Sequence, residues 1–314
     1  MATQPVSNIL IREFDDPQVV KRLGQFSDSI EEAVSFGTHI IKWCLEDIPE
    51  SKRDDAHLVP ILLFRHALEL LDSISILVRP GSIDPSKIIL RGLLETVMSI
   101  EWILQADTNR RAMAFWVWHA HHNLRIYEKL DPASNSGKQF RSKLKKDRYG
   151  KNLSIPQIPD LQQMTKNLNN LLTKPAYAQA ELEYQRLSQG RRKNPDWYSF
   201  FGGPPNREQL ADKIGLSGIY EVLYRNWSDV THGTDVIKGK LSSPGKGQIE
   251  IVQIRFVKDV QTVTQNSLSL ALQLFVSMIK YFAPNREKDF ENWYASEIRD
   301  SYNALSGPQI ITVE

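Results

Sequence analysis

Apolar residues recur at three- and four-residue steps along most of this chain, a spacing that admits α-helices and little else. Val20, Leu23, Phe26, Ile30, Val34, Ile41 and Leu45 mark a helix from Pro17 to about Ile48. A second runs from Leu58 to Arg79 and is closed by Arg79-Pro80-Gly81. Asp84 as cap and Pro85 as first helical residue open a third, the most apolar, which reaches about Ala106. Asn109 to about Leu130, Ile251 to about Phe282 and Arg286 to Leu305 supply three more. Shorter helices are expected near Asp160–Leu172 and Ala176–Leu187, and Asn206 can cap another ending at Ile214. Strand–helix alternation, heptads and internal repeats are all missing from the pattern, so the predicted fold class is all-α, a helical bundle.

At 314 residues the chain can bury one large domain with appendages. The reading divides it into a tail and helix over 1–57, a helical domain over 58–284, and a last helix and tail over 285–314. Within the domain, residues 131–200 are expected to form a basic, loop-rich insertion. Cys44 is the single cysteine, which excludes an internal disulfide framework and suits a reducing cytoplasm. It sits among Ile40, Ile41, Trp43 and Leu45, so it is expected to be buried and inert. The first residues lack a basic segment followed by an apolar one, so no signal peptide is expected. No apolar run reaches the roughly 18 residues of a membrane span, and Leu268–Ile279 is interrupted by Ser269 and Gln273. The expectation is therefore a cytoplasmic protein with no membrane partner.

Net charge is +2, so no global basic signal marks a nucleic-acid binder and positive charge is local. Lys138, Arg141, Lys143, Lys145, Lys146, Arg148 and Lys151 face one acid, Asp147, between Pro132 and Asn152. A second cluster is Arg191-Arg192-Lys193, and Lys238, Lys240 and Lys246 fall in a predicted Gly/Ser/Lys loop. Runs of like charge are usually solvated faces. His119 and His122 share a helix face, but no third metal ligand follows at a fixed spacing, so packing is the reading. Gly202-Gly203-Pro204-Pro205 lacks the Lys and Ser/Thr of a phosphate loop and reads as a turn.

Ile219–Gly233, IYEVLYRNWSDVTHG, reads as one amphipathic helix ended by Gly233. Ile219, Leu223, Trp227 and Val230 form its apolar side. Arg225 and His232 differ by roughly 20° in azimuth and stand about 10 Å apart along the axis. Asp229 lies between them, within reach of either. A cation, an acid and an imidazole on one face can handle phosphate; the same residues also suit an ordinary solvated face with a His at the helix end. On the most apolar helix Arg91, Glu95 and Ser99 align at four-residue steps. Either Arg91 and Glu95 pair to fix helix packing, or Arg65, Arg91 or Glu95 turns toward the Arg225 face to support it.

Arg225-Asn226, five further residues and His232 resemble the signature of the HEPN superfamily (higher eukaryotes and prokaryotes nucleotide-binding). HALELLDSISILVRPGS, IILRGLLETVMSIEWIL and WYSFFGG…YRNWSDVTHGT are similar to an uncharacterised-domain family of helical bacterial proteins of that kind, over roughly Leu58–Lys240. The resemblance implies a HEPN-like bundle and a metal-independent endoribonuclease with no cofactor, of the sort found among toxins and antiphage-defence effectors. His232 would transfer protons and Arg225 would stabilise phosphorane charge; Asn226 would orient a phosphate or the partner helix. That Asp229 holds His232 in one tautomer is an inference from spacing, outside the family's motif. One imidazole cannot easily serve as both acid and base, and the resemblance implies a homodimer with a composite site. RNA would then run over Lys143, Lys145, Lys146, Arg148, Arg191, Arg192 and Lys238, with Tyr149 placed to stack on a base. Members that have lost the chemistry leave a second expectation, a nucleotide- or RNA-binding or protein-docking subunit. An antitoxin or a defence-system protein would be its partner.

Overall fold

The apolar spacing builds the helices it predicts. In the computed structural model the described residues are 5–7, 9–46, 54–155, 158–189, 194–225, 227, 240–242, 249–308 and 311. Long helices are α1 (Pro17–Glu46), α2 (Asp55–Val78), α3 (Ile83–Gln105) and α4 (Thr108–Leu130). There follow α5 (Asn135–Lys146), α6 (Leu161–Leu172), α7 (Ala178–Ser188), α8 (Arg207–Lys213) and the single turn α9 (Ser217–Ile219). The chain ends in α10 (Val260–Phe282), α11 (Glu287–Trp293) and α12 (Arg299–Leu305). The class is all-α. Among the described residues the strand content is one antiparallel pair, β1 (Leu241–Ser242) with β2 (Glu250–Ile251), where Leu241 opposes Ile251. No helix of the described residues is long and apolar enough to cross a membrane.

Two compact units divide the chain. The first takes Met1–Asp54, Pro60–Ala106 and Ala211–Glu314. Its core is made by the inner faces of α1, α2, α3 and α10. Leu23, Ile30, Phe64, Leu71, Leu94 and Phe275 are wholly buried there, and Cys44 is buried as expected. Phe36 stacks on Trp293 with ring centroids 3.9 Å apart, and the Trp293 indole N–H donates to Glu32 at 2.7 Å. That pairing ties the C-terminal helices to α1 while giving the half-buried indole its partner.

Ser277 on α10 donates to the Glu101 carboxylate of α3 at 2.6 Å. Burial pushes this carboxyl above its ordinary value of 4.5, although hydrogen bonds from Ser277 and Gln273 pull the other way. A folded pKa above the unfolded one contributes stability that is complete below the unfolded value and lost as pH rises through the folded value. Glu101→Gln should therefore leave stability at neutral pH unchanged or raised, and flatten the decline that sets in as pH rises above the ordinary carboxylate value of 4.5. Thermal melts from about pH 4 to pH 8 check this; a variant less stable than wild type at neutral pH would refute it.

The second unit takes Asp55–Val59 and Asp107–Leu210. Ala112, Ala114 and Ala120 leave α4 slim enough for close packing, and Leu172, Tyr177, Ala180, Tyr184 and Phe200 complete the core. Tyr177, almost wholly buried, donates its hydroxyl to Asp55. Gly137 sits where a Cβ would stand 1.8 Å from the Asp131 carbonyl oxygen. Gly137→Ala should therefore open the α4–α5 corner and cost about 1–3 kcal/mol. Denaturant melts check the cost, and an unchanged midpoint would show that the corner yields freely.

Several expectations need correction. The helix predicted from Ile251 begins at Val260; Ile251 is in β2, and Asp259 precedes α10 with a positive φ of 67°. Val252, Ile254 and Phe256 alternate with Gln253 and Arg255, a period of two that belongs to extended chain. The predicted lysine-rich loop likewise contains β1. Helix α3 starts at Ile83, two residues earlier than the Asp84 cap allows, which leaves Asp84 in the first turn. The basic stretch expected to be loop-rich is largely helical: Ser134 accepts from the Gly137 N–H as N-cap of α5, and α6 and α7 follow. The described part of the N-terminal tail is tied to the rest of the first unit. Ile9 accepts from the Ile254 N–H at 2.9 Å, and Arg12 accepts from the Arg255 guanidinium at 2.8 Å. Phe14 lies against Gly81, whose φ of +74° and missing Cβ both make room.

Candidate functional site

Helix α8 ends at Gly215, with a φ of +75°, while the Leu216 N–H donates back to the Ala211 carbonyl at 2.8 Å. This is the glycine stop of a Schellman-type end. The α3 terminus adds a tether, since the Gln105 amide donates to the Lys213 carbonyl at 3.1 Å. The chain then restarts as α9 and winds directly into a π-helical turn over Tyr220–Arg225. The predicted single α-helix is corrected over Tyr220–Arg225, where i→i+5 winding replaces the α-helical register. Leu223 and Tyr220 anchor the turn in the core of the first unit, and Tyr220 stacks on Tyr224 at 4.6 Å. Arg225 remains half-exposed, 3.1 Å from Glu221 of the same turn.

The polar face of α3 meets this turn. The Arg91 guanidinium carbon lies 3.9 Å from the centre of the Tyr224 ring, with the Arg91 side chain largely buried. Its pair with Glu95 is long, 3.8 Å. Arg91 therefore pairs weakly along its own helix and packs on Tyr224, the residue before Arg225. Arg65 pairs with Glu69 on its own helix at 2.7 Å. One turn before Arg91, Lys87 is 7% exposed and bridges Asp84 at 2.9 Å and Asp259 at 2.8 Å. Lys240 pairs with Asp84 as well; burial lowers its pKa, Lys258 adds to that, and Asp259 opposes it. The Lys87 ammonium also lies 5.9 Å from the Trp227 ring. From the sequence Asp84 was expected only as a helix cap, and Lys87 and Asp259 were not singled out. The series Lys87, Arg91, Glu95 at four-residue steps was there to extend, whereas nothing local points to Asp259.

His232, Asn226, Asp229 and Lys238 lie outside the described residues, as do Arg191 and Arg192. Lys143, Lys145 and Lys146 occupy the last turn of α5 and are exposed, where they also complement the helix dipole. Arg148 follows, its guanidinium 5.6 Å from the ring of Tyr149, which is 83% exposed. These cations belong to the second unit and Arg225 to the first. On α4, His119 contacts Asn123 at 3.0 Å and His122 stacks on Trp118. His121 meets Glu181 at 2.7 Å and stacks on Tyr184 at 3.8 Å. Among the described residues no group of three or more His, Cys, Asp or Glu is placed to hold a metal ion.

A model for a family of unknown function (DUF5677) matches residues 57–248, a span that contains α3, the π-helical turn and the basic helix α5. No curated protein and no solved structure matches the chain.

Proposed function

The chain belongs to DUF5677, a family of unknown function, so its activity has to be read from its own residues, and we propose that it is a metal-independent endoribonuclease of HEPN type. The observation that carries this reading is the π-helical turn that ends on Arg225 with Arg91 packed on Tyr224 beside it. π-Turns carry an energetic cost in helices and collect at functional sites. This one presents a half-exposed guanidinium at the first residue of the Arg–Asn…His motif.

RNA brings its own nucleophile, the 2′-hydroxyl. The protein need only take that proton, stabilise the charged phosphorane and protonate the leaving 5′-oxygen. An imidazole titrating near neutrality suits the first and last steps, which assigns them to His232 and its copy in a second protomer. Arg225 stabilises the charge through paired donors to phosphate oxygens, and Lys143, Lys145, Lys146 and Arg148 guide the strand. A toxin or antiphage-defence role, with an inhibitory partner, goes with this chemistry. The test is digestion of a broad RNA pool by purified protein in EDTA, followed by end analysis. A 2′,3′-cyclic phosphate and a 5′-hydroxyl are expected. An intact pool, or cleavage that EDTA stops, would overturn the reading.

One observation favours a binding module instead: Glu221 already sits 3.1 Å from Arg225 and Glu95 lies near Arg91, so the cations are partly neutralised. A clamp without chemistry would retain RNA affinity in His232→Ala and lose it in Arg225→Glu.

A further inference from the structure

Within the second unit, the end of α4 and the turn after it, Arg141 of α5, Ile155 and residues from Ile158 to Thr165 line an open cavity of about 880 Å³. Small-ligand sites span about 300–1,000 Å³. Its lining divides by chemistry. Leu124, Ile158 and Leu161 are apolar, and Tyr127 adds a half-buried ring. Glu128, Asp131 and Asp160 bring carboxylates, the first two each held through one oxygen: Ser136 donates to Glu128 at 2.7 Å, and the Ala133 N–H donates to Asp131 at 2.8 Å. Each keeps a second oxygen as an acceptor. From α5 comes Arg141, fixed by donating to the Leu130 carbonyl at 2.9 Å and the Gly137 carbonyl at 3.3 Å. Exposed Lys138 and Lys145 stand three residues before and four after Arg141, so a cationic row leads away from the cavity along one helix face.

A ligand that satisfies this lining is flat, presents hydrogen-bond donors at one end and carries negative charge at the other. Ionised carboxylates only accept. Guanine offers two adjacent donors, N1–H and the N2 amino group, to a single carboxylate. Adenine and cytosine set an acceptor beside their amino group, and uracil offers one N–H between two carbonyls. We propose that this cavity binds a guanine nucleotide, with its base on Tyr127 and the Glu128–Asp131 carboxylates and its phosphate at Arg141 and Lys145. The cavity belongs to the second unit and Arg225 to the first. It rests on the ribonuclease reading only for one of two sources of the nucleotide, a base of single-stranded RNA as opposed to a free mononucleotide.

Titration calorimetry of the full chain with guanosine 5′-monophosphate and adenosine 5′-monophosphate tests the site. Fluorescence anisotropy compares a uridine-only RNA with the same RNA carrying one guanosine. A charged hydrogen bond gained or lost changes affinity by about tenfold or more, so the guanine ligand should bind at least about tenfold tighter in one pair or the other. Selectivity with the mononucleotides identifies a free nucleotide; selectivity with the RNAs alone identifies an RNA base. Glu128→Gln and Asp131→Asn should each remove that preference, Tyr127→Phe should keep it, and Lys145→Glu should weaken binding of the phosphate. Equal binding within both pairs, or a preference that survives Glu128→Gln and Asp131→Asn in chains with wild-type circular dichroism, would overturn the proposal. RNA cleavage through Arg225 and His232 could persist in that outcome, and a guanine preference could persist in a chain that cleaves nothing, so the two readings fail separately.

Discussion

Replacing His232 with alanine should lower the rate of RNA cleavage by about 100- to 10,000-fold, the usual contribution of one positioned acid–base group. The loss should lie in the chemical step and leave RNA affinity nearly unchanged, because backbone binding is proposed for other residues, Lys143, Lys145, Lys146 and Arg148. Arg225→Ala should cost about 100- to 1,000-fold, the scale for removing one preorganised donor from developing charge. Arg225→Lys should recover only part of it, since an ammonium cannot make paired bonds to phosphate oxygens. If two imidazoles act as acid and base, the wild-type rate should trace a bell around neutral pH. Single-turnover cleavage of a defined RNA measures these effects. Expression in cells gives a coarser form: growth arrest with fragmented RNA in the wild type, and neither in the two alanine variants. Cleavage that survives His232→Ala would end the ribonuclease assignment for this motif, whatever the fate of the Arg225 variants.

Lys87→Met should destabilise the first unit by about 3 kcal/mol. Removing one partner of a buried ion pair costs about 3–5 kcal/mol, because it strands the charges left behind. Lys87 serves two carboxylates while itself almost wholly buried. The lower end of the range applies for two reasons. The Asp84 and Asp259 side chains are 32% and 38% exposed, so water screens part of what is lost. Asp84 also keeps Lys240. Combining Lys87→Met with Asp259→Asn should recover a share of the loss, and the double-mutant cycle reads the coupling directly. Denaturant unfolding checks both figures. A loss below about 1 kcal/mol would place this cluster with ordinary surface pairs. Methionine keeps most of the side-chain volume, so the effect should report charge and not a cavity.

The long helices were legible because their cause is local. Their apolar faces repeat every three or four residues, and the ends of α1, α2, α3 and α4 fall within a few residues of the boundaries read from spacing and stop signals. The errors arose where a second local signal competed. Dense lysine and arginine made residues 135–146 look like solvated loop, although Phe140 and Leu144 share a helical face and Ser134 caps the turn. The helix pattern beginning at Val260 was extended back through Val252–Phe256, where the alternation is that of extended chain. The π-helical winding of Tyr220–Arg225 could not be read at all, because apolar spacing over six residues does not separate i→i+4 from i→i+5 bonding.

The candidate site divides in the same way. The sequence by itself determined that Asp84, Lys87, Arg91 and Glu95 would share one face of α3, since steps of three and four residues are a property of the helix. It also determined that Arg225 would occur in a helical segment with bulky aromatic neighbours. The tertiary structure alone decided what that face meets. Asp259 reaches Lys87 across 172 positions of sequence, and Tyr224 comes to lie on Arg91. Ion pairs and cation–π contacts act over a few ångströms. Which charges come that close is set by how the helices pack, a result of the whole buried core that no local spacing records.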